Sequence, residues 1–395
     1  MYHAVGPDNP EWIWNHLITP IEVFDKQIKI LLKKGFCPAT LQELYNHMKH
    51  NSPISEKAAV LTFDDGYLDN WVYAYPLLKK HGMKGTIFVN PDFIDPTEDY
   101  RPNLEDVWSG RCTEEDLVSR GFLSWHEMRK MQESGVMDIQ AHTMSHTWYF
   151  CSDEVVDFHY PGNNQYPWLF WNVRRDRKSY YLNENQEHFV PYGTPIYQHG
   201  RSLGVRRYFE DKELNHYLVD FVREQGVVFF ENRDWRNKLF HELELYKSKN
   251  GLKGRYETDE EQNDRFRNEL IESKKILEEK LKKKVDFLCW AGGAFNEKTL
   301  KIAQEAGYLS TTSFYNDKNK KNTFGEDPSG INRTGCVSEF RWRNKFISYT
   351  GPDYFIANVK LFYGKKIYLW MIRLYKIKYL MQYFIMRLFK RGEPR

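Results

Sequence analysis

Two adjacent carboxylates and a pair of histidines are the residues of this sequence best suited to chemistry. Asp64 and Asp65 stand side by side in "LTFDDG", so one can bind a metal while the other handles a proton. His142 and His146 stand four residues apart in "AHTMSH", so both imidazoles can reach one ion. Two histidines and one carboxylate leave metal positions open for water and substrate, which is typical of a catalytic site. Each motif alone is weak, because Asp-Asp-Gly is also common in turns.

Each of these motifs directly follows an apolar segment with the character of a buried strand. Five such segments are separated by helical stretches, and this alternation predicts a mostly parallel sheet or barrel. Side chains that follow the strands of a β/α barrel meet at one rim, where active sites are assembled. The predicted strands are "KAAVLTF" (57–63), "GTIFVN" (85–90), "GVMDIQ" (135–140), "VDFLCW" (285–290) and "LSTTS" (309–313).

The helices between the strands have recognisable faces and ends. Residues 22–34 place apolar side chains on one helical face, and Gly35 follows as a stop. Thr40 and Glu43 form a capping box for a short helix. Residues 262–283 carry a narrow apolar stripe, which predicts a helix with a solvated charged face.

The chain opens with "MYHAV", which raises a question about His3. Chain ends usually fray, so a terminal histidine is expected to be solvated. The short apolar and aromatic context instead suits the end of a buried strand. If residues 1–3 end such a strand, His3 lies at the same rim as the two motifs.

Composition limits the function classes. The 395 residues are 41% hydrophobic and 28% charged, which is typical of a globular protein with an ample core. A net charge of +3 gives no nucleic-acid signature. The five cysteines are scattered without a Cys-x-x-Cys pair, which argues against a disulfide framework and favours a reducing compartment. The 16% aromatic content fits both an aromatic core and sugar stacking.

Two regions depart from the strand–helix alternation. Residues 148–264 lack it, and we interpret them as an insertion beside the rim, either a subdomain with its own core or a lid that contacts substrate. The predicted barrel then comprises residues 1–147 and 265–345, followed by a tail over 346–395. No acidic residue lies between Asp353 and Glu393, whereas nine basic residues do. The stretch 360–391 therefore predicts a basic amphipathic helix at an anionic membrane surface, with a helix packed on the barrel as the alternative.

The combination of motifs resembles the polysaccharide deacetylase family. "TFDDG" after one strand, His-Thr-x-x-His after another and an aromatic–small–Gly turn at 290–293 after a third carry the resemblance. Flanking segments such as "YPLLKKHGMKGTIFV" are similar to the circularly permuted poly-N-acetylglucosamine deacetylase branch, in which a Tyr-His strand comes first. The resemblance covers roughly residues 1–147 and 266–340. It implies an α/β fold, a distorted NodB-like (β/α) barrel, here with a large insertion and a C-terminal amphipathic helical tail.

The resemblance also implies roles for individual residues. Asp64 is then the catalytic base, and His3 is the general acid that protonates the leaving amine. The metal ligands are Asp65, His142 and His146. In the third motif, Gly292 offers its backbone amide to the oxyanion and Trp290 contacts substrate. The expected cofactor is a divalent ion, with zinc first and cobalt, nickel or iron as alternatives.

Three positions depart from the family pattern. Ala291 stands where a proline is usual, and Gly292 stands where an aromatic residue is usual. Cys289 falls where many members have an arginine that tunes the base. Arg333, in "GINRTG", looks like a late family arginine, and the sequence gives no reason to assign it a role.

These observations predict a metal-dependent hydrolase that removes N-acetyl groups from an amino-sugar glycan and releases acetate. The partners are an N-acetylated oligo- or polysaccharide and an anionic membrane, with no nucleic acid. One alternative is a catalytically impaired relative that binds carbohydrate, and a phosphohydrolase with paired aspartates is disfavoured because its carboxylates usually alternate. No signal peptide is visible, so we expect a cytoplasmic enzyme, peripheral at the inner membrane face. A secreted protein is the alternative if the natural start lies upstream.

Overall fold

The fold is described from a computed structural model of the chain. The structure describes residues 1–313, 321–335, 339–342, 345–348 and 352–390. Of the sequence predictions, those for Cys336 and Arg391 lie outside the described residues.

A parallel sheet forms the centre of the fold. Six of its strands are hydrogen-bonded in the order β14-β13-β12-β7-β6-β5, and every neighbouring pair is parallel. The predicted α/β fold with a parallel sheet is therefore confirmed. Its strands are β5 (Leu61–Phe63), β6 (Gly85–Val89), β7 (Met137–Ala141), β12 (Phe287–Leu288), β13 (Ser310–Ser313) and β14 (Gly330–Asn332).

The first residues of the chain lie between the two edges of this sheet. The Tyr2 N–H donates to the Thr62 carbonyl (2.7 Å), and the Asp64 N–H donates to the Tyr2 carbonyl (3.0 Å). On the other side, the Met1 ammonium donates to the Thr334 carbonyl (2.9 Å), just beyond β14. The sheet is therefore curved into an incomplete barrel that the chain start helps to close.

The remaining strands are short or lie outside the barrel. They pair as β1–β2, β3–β4, β8–β9, β10–β11 and β15–β16. The prediction of one strand over 57–63 is replaced by β4 and β5, which pair with different partners. These strands are β1 (Ala4–Val5), β2 (Ile18–Thr19), β3 (Cys37–Pro38), β4 (Ala58–Ala59), β8 (Trp148–Phe158), β9 (Pro195–Arg201), β10 (Tyr208–Phe209), β11 (Arg255–Tyr256), β15 (Glu339–Trp342) and β16 (Lys345–Ser348).

Helices cover the outside of the sheet and follow the predicted faces. The α1 helix buries Phe24, Ile28 and Leu31, and the capping box of Thr40 and Glu43 begins α2. A π-helical turn joins α9 to α10. The helices are α1 (Ile21–Lys33), α2 (Leu41–His50), α3 (Tyr75–Lys80), α4 (Leu104–Trp108), α5 (Trp125–Glu133), α6 (Pro167–Val173), α7 (Lys212–Gln225), α8 (Trp235–Asn250), α9 (Asp259–Arg267), α10 (Ser273–Leu281), α11 (Glu297–Glu305), α12 (Pro352–Phe362) and α13 (Tyr368–Lys390).

The region after His146 is built around the antiparallel hairpin of β8 and β9. One apolar cluster lies wholly within it, with members between Val155 and Tyr246 that include side chains of α7 and α8. A second, aromatic cluster joins it to the barrel, packing Trp168 and Trp171 against Phe93 and Phe122. This region therefore has its own core and also a face on the barrel.

Helices α12 and α13 end the described chain. Ile372 and Tyr379 of α13 are buried in a cluster with Tyr354 and Ala357 of α12. Across the described residues, we find no helix whose length and apolar character would suffice to cross a bilayer.

Candidate metal centre and catalytic pocket

Four strands of the barrel end beside one pocket. Asp64 follows β5, His142 follows β7, Trp290 lies two residues after β12, and Arg333 follows β14. Except for Arg333, these residues line a cavity of about 290 Å³. Because parallel strands place their carboxyl ends at one edge, the sheet alone brings together residues that are up to 269 positions apart.

Asp65, His142 and His146 form a cluster that could hold a metal ion. The Asp65 Oδ1 lies 3.1 Å from the His142 Nε2 and 3.3 Å from the His146 Nε2. This oxygen is buried, and no described hydrogen-bond donor satisfies it. One carboxylate and two imidazoles that converge on a shared point are the donor set of a catalytic zinc or iron(II) site.

The two histidines differ in their protonation. The His142 Nδ1 lies 2.8 Å from the Cys289 carbonyl, to which it donates. Burial lowers the pKa of His142, but Cys289 and the carboxylates of Asp65 and Asp64 outweigh it and raise this pKa well above its usual value. An ion that binds at the His142 Nε2 therefore displaces a proton. Burial lowers the pKa of His146 to about 4, although the Asp65 carboxylate opposes the shift. His146 is therefore neutral at physiological pH, as a ligand must be.

The loop that carries the histidines has an unusual backbone. Thr143 and His146 adopt positive φ angles of 65° and 41°, and Asp65 has a φ of 73°. Residues other than glycine adopt this region at a cost, and such strain is often found at functional sites. The surrounding structure must therefore hold the loop in place.

Two buried charges hold the loop between the histidines. The Glu269 carboxylate accepts hydrogen bonds from the N–H groups of Met144 (3.1 Å) and Ser145 (3.0 Å), and from the Ser145 hydroxyl. The Lys178 ammonium donates to the Ser145 carbonyl (2.7 Å) and to Asp92 (3.1 Å). Lys178 is 1% exposed and Glu269 is 2% exposed, so both interactions are shielded from water. Their partners leave the loop little freedom to move.

Asp64 forms a buried ion pair with Arg333. The guanidinium donates to both carboxylate oxygens, at 2.7 and 2.9 Å, and also to the Cys289 sulfur at 2.9 Å. Burial raises the pKa of Asp64, but Arg333 outweighs it, with help from His142 and His3, and the pKa falls to about 2. Asp64 is therefore ionised at neutral pH and can accept a proton.

The other predicted residues line the same pocket. His3 follows Tyr2 of the barrel edge and faces the cavity with Asp64 and Asp65. Gly292 has a φ of 59° in the turn after β12 and also borders the cavity. Trp290 is 2% exposed, and its indole N–H is buried without a described acceptor. The structure thus brings all seven predicted site residues to one place.

Sequence reasoning missed several residues of this pocket. Burial and the nearby Asp65 carboxylate raise the pKa of Tyr67 well above its usual value, so its hydroxyl stays protonated beside the metal cluster. Trp14 and Trp148 stack with their ring centres 6.3 Å apart. The walls also include Trp171, Tyr181 and Arg201 from the region after His146. No local motif marks these residues, whereas Arg333 follows a strand and the strand-end rule could have found it.

Part of the chain that forms this pocket is similar in sequence to known proteins. Residues 51–189 match the family model described as polysaccharide deacetylase. The match covers about a third of the chain and includes the Asp64–Asp65 pair and both histidines of the cluster. His3, Trp290 and Arg333 lie outside the match, so the structure alone places them beside it.

Two curated relatives are similar to part of the chain. YxkH of Bacillus subtilis, named for the polysaccharide deacetylases, is 32% identical over 146 residues, which are 37% of this chain and 42% of YxkH. The poly-beta-1,6-N-acetyl-D-glucosamine N-deacetylase of Escherichia coli is 25% identical over 119 residues, which are 30% of this chain and 16% of that enzyme. The chain thus matches less than half the length of either relative.

Two solved structures also align with most of the chain. A de-N-acetylase from Aggregatibacter actinomycetemcomitans aligns with a TM-score of 0.48 at 17% identity, over 84% of this chain and 91% of that one. The BpsB deacetylase domain from Bordetella bronchiseptica aligns with a TM-score of 0.45 at 18% identity, over 78% and 81% of the two chains.

Proposed function

We propose that this protein is a metal-dependent hydrolase that removes N-acetyl groups from an amino-sugar glycan. The observation that carries the proposal is the convergence of Asp65, His142 and His146 on one point, beside the second carboxylate of Asp64. The match to the polysaccharide deacetylase family model supports the reaction class. The aromatic walls of the pocket suit a sugar ring, because aromatic faces stack on the apolar faces of sugars.

The residues present fit a divalent ion such as zinc. Asp65, His142 and His146 would hold it, and the unsatisfied Asp65 Oδ1 is the atom left without another role. A divalent ion bound there polarises the amide carbonyl and acidifies water, from a pKa of about 15.7 towards ~7. With three protein ligands, positions remain open for water and for the acetyl group.

The remaining residues supply the proton transfers. Asp64 is ionised and accepts a proton from the attacking water, while Arg333 fixes the orientation of its carboxylate. We assign to the backbone N–H of Gly292 the role of donor to the acetyl oxygen as it gains charge, and to Trp290 a contact with the substrate, because both residues line the pocket. His3 gives a proton to the departing nitrogen, because an amide anion is a very poor leaving group. The carbon–nitrogen bond breaks, and an amine and acetate are released.

Metal-dependent acetate release tests the proposed function. The purified chain loaded with zinc or cobalt is expected to release acetate from N-acetylglucosamine oligosaccharides, and chelation is expected to reduce the rate to background. Asp65→Asn removes a charged ligand and is expected to lose both bound metal and activity. The measurements are acetate by coupled assay, free amine by mass spectrometry and metal content by elemental analysis.

Two results would contradict this prediction. Metal binding and saturable binding of oligosaccharide without any acetate release would favour the carbohydrate-binding alternative. Activity that survives chelation, with no metal in the protein, would remove the ion from the mechanism.

We also propose that α13 places the protein on an anionic membrane surface. Its apolar residues Trp370, Leu374, Ile377 and Met381 recur every three to four positions and therefore share one helix face. These four side chains are between 53% and 65% exposed, and the opposite face packs on α12. An apolar stripe of this size left open to water favours a partner that can cover it.

The charges beside this stripe favour a lipid surface as that partner. Arg373 lies along one edge of the stripe and Lys378 lies along the other, and Lys366 lies just before the helix begins. All three are exposed. Basic side chains that flank an apolar face let a helix lie in the plane of an anionic membrane, each contributing about 1 kcal/mol.

Vesicle sedimentation tests this surface. The full chain is expected to bind vesicles that contain phosphatidylglycerol, more weakly at high salt, and to bind phosphatidylcholine vesicles poorly. The double change Lys366→Glu and Arg373→Glu is expected to weaken binding to the anionic vesicles at least about tenfold. Trp370→Ser with Leu374→Ser is expected to weaken it at every salt concentration.

A matched control uses Val227→Ser with Val228→Ser, because these side chains are 68% and 61% exposed but lie far along the chain from α13. This control is expected to bind vesicles like the unchanged chain. Equal loss of binding in the control and in the α13 variant would contradict a specific role for the helix.

A further inference from the structure

We propose that Arg201 binds an anionic group of the substrate, a carboxylate or a phosphate, next to the acetylated sugar. The inference rests on the proposed function, because it assigns a substrate class to the same pocket. Arg201 belongs to the region after His146 and lies beyond residues 51–189, which match the deacetylase family model. It is exposed and lines the pocket that contains Asp64, Asp65 and both histidines.

The hairpin of β8 and β9 carries Arg201 back to the metal centre. Strand β8 begins two residues after His146, and Arg201 is paired with Trp148 at the open end of the hairpin. The next residue is fixed by a hydrogen bond from the Ser202 N–H to the Thr147 carbonyl (2.9 Å). Arg201 is thus held by backbone contacts close to a metal ligand.

Residues beyond the hairpin hold the same backbone from the other side. The Arg265 guanidinium donates to the carbonyls of Ser202 and Val205 and forms a buried ion pair with Glu257. Asn296 Nδ2 lies 3.4 Å from the Leu203 carbonyl. The base of the Arg201 side chain is therefore anchored, while its guanidinium remains exposed.

The guanidinium lies directly over Gly292. A Cβ added to Gly292 would come within 2.5 Å of the Arg201 Nε and 2.8 Å of its Cδ. Any larger residue at 292 would displace the arginine, quite apart from the positive φ that already favours glycine. The departure at Gly292 noted in the sequence thus makes room for a cation contributed by the insertion.

The surrounding charges leave this cation without a partner. Within the described residues, Arg201 forms no ion pair with a carboxylate. Of the pocket carboxylates, Asp64 is paired with Arg333 and Asp65 faces the two histidines. Glu269 lies nearby but is buried and bound to the histidine loop. The described part of the chain therefore provides no counter-charge for Arg201.

The chemistry of the side chain indicates the ligand. A guanidinium presents a planar set of donors that matches a carboxylate or a phosphate in a two-pronged contact. Such a group occurs in a uronic acid beside an amino sugar and in a sugar phosphate. Anchored in an aromatic pocket, Arg201 selects glycans with an anionic group near the acetylated residue over neutral ones.

Paired probes test this selection. Binding is measured by quenching of pocket tryptophan fluorescence in a His3→Ala background, where turnover is slowed and the Asp64–Arg333 pair is kept. The carboxylate probe is a tetrasaccharide of alternating glucuronic acid and N-acetylglucosamine, compared with a neutral N-acetylglucosamine tetrasaccharide. The phosphate probe is N-acetylglucosamine 1-phosphate, compared with N-acetylglucosamine. Arg201→Gln is expected to reduce the preference for at least one anionic probe at least about tenfold.

Arg223→Gln is the matched control, because this arginine lies on α7 of the same insertion, is 72% exposed and faces solvent. It is expected to keep the preference. The affected probe distinguishes a carboxylate from a phosphate as the ligand.

Two outcomes overturn the inference. In one, the background chain with Arg201 intact binds anionic and neutral probes equally. In the other, Arg201→Gln weakens the binding of anionic and neutral probes equally. The second outcome would mean that Arg201 stabilises the oxyanion or supports the structure of the pocket. Since the readout is binding, an absence of acetate release would contradict the proposed reaction and leave the anion preference measurable.

Discussion

Replacing Arg333 with methionine is expected to move the acid limb of the pH–rate profile upwards by about 1–3 pH units and to destabilise the fold. In the wild type, burial raises the pKa of Asp64, but the Arg333 guanidinium overrides it and the pKa is about 2. Without the guanidinium, burial acts largely unopposed, so Asp64 takes up a proton at higher pH. A protonated Asp64 cannot act as the base, and the rate falls.

The loss of stability in Arg333→Met follows from the same ion pair between Asp64 and Arg333. The pKa of Asp64 in the fold lies below its ordinary value of 3.8, so the pair stabilises the fold above about pH 4. This contribution is lost as the pH falls towards 2. The side chains are 6% and 5% exposed, so removing Arg333 leaves a buried charge and costs about 3–5 kcal/mol at neutral pH. Thermal unfolding and kcat/KM over a pH series measure the two effects.

Arg333→Lys is the matched variant for this prediction. It keeps the charge but cannot donate to both oxygens of Asp64, so it is expected to restore part of the acid limb. Metal content is measured in every variant, because a change in bound ion would also move the profile. An unchanged acid limb in a folded, metal-loaded Arg333→Met chain would contradict the tuning of Asp64 by Arg333.

The sequence allowed the parallel sheet to be predicted, because buried parallel strands are apolar and short and are followed by polar turns. The same rule predicted that Asp64, His142 and Trp290 meet, since each follows a strand. The capping box of Thr40 and Glu43 was predictable because its two residues stand three positions apart, as that motif requires. These features depend on local sequence patterns. Residues that directly follow parallel strands become neighbours because the strand ends lie at one edge of the sheet.

Other features of the site depend on contacts between distant parts of the chain. Arg333 reaches Asp64 across 269 positions, and its guanidinium also donates to the Cys289 sulfur at 2.9 Å. Arg201 reaches the pocket because a long hairpin returns to the neighbourhood of His146. Lys178 donates to the Ser145 carbonyl of the histidine loop from a region that has a separate apolar cluster. The distance between these residues along the chain does not indicate which of them are in contact. The contacts could therefore be found only from the structure.

Replacing His3 with alanine is expected to reduce amide hydrolysis by about 10²- to 10⁴-fold while the metal stays bound. His3 is not among the three residues that could hold the ion, but it faces the same cavity. An amine leaves as a neutral molecule only after its nitrogen gains a proton. A nitrophenolate leaves readily without one, so p-nitrophenyl acetate hydrolysis is expected to fall much less. The ratio of the two rates measures the loss of an acid, whereas a misfolded site would lose both.

His16 provides the decisive comparison, because it is an imidazole of this pocket that lies outside the Asp65, His142 and His146 cluster. Burial and the nearby His3 lower the pKa of His16, so less of it carries a proton to give near neutral pH. The Asn70 side chain donates to the His3 carbonyl at 3.0 Å, so the backbone of His3 is fixed where it enters the site. We therefore expect His16→Ala to cost far less amide hydrolysis than His3→Ala. The reverse order, or an equal loss of ester and amide hydrolysis in His3→Ala, would transfer the acid role away from His3.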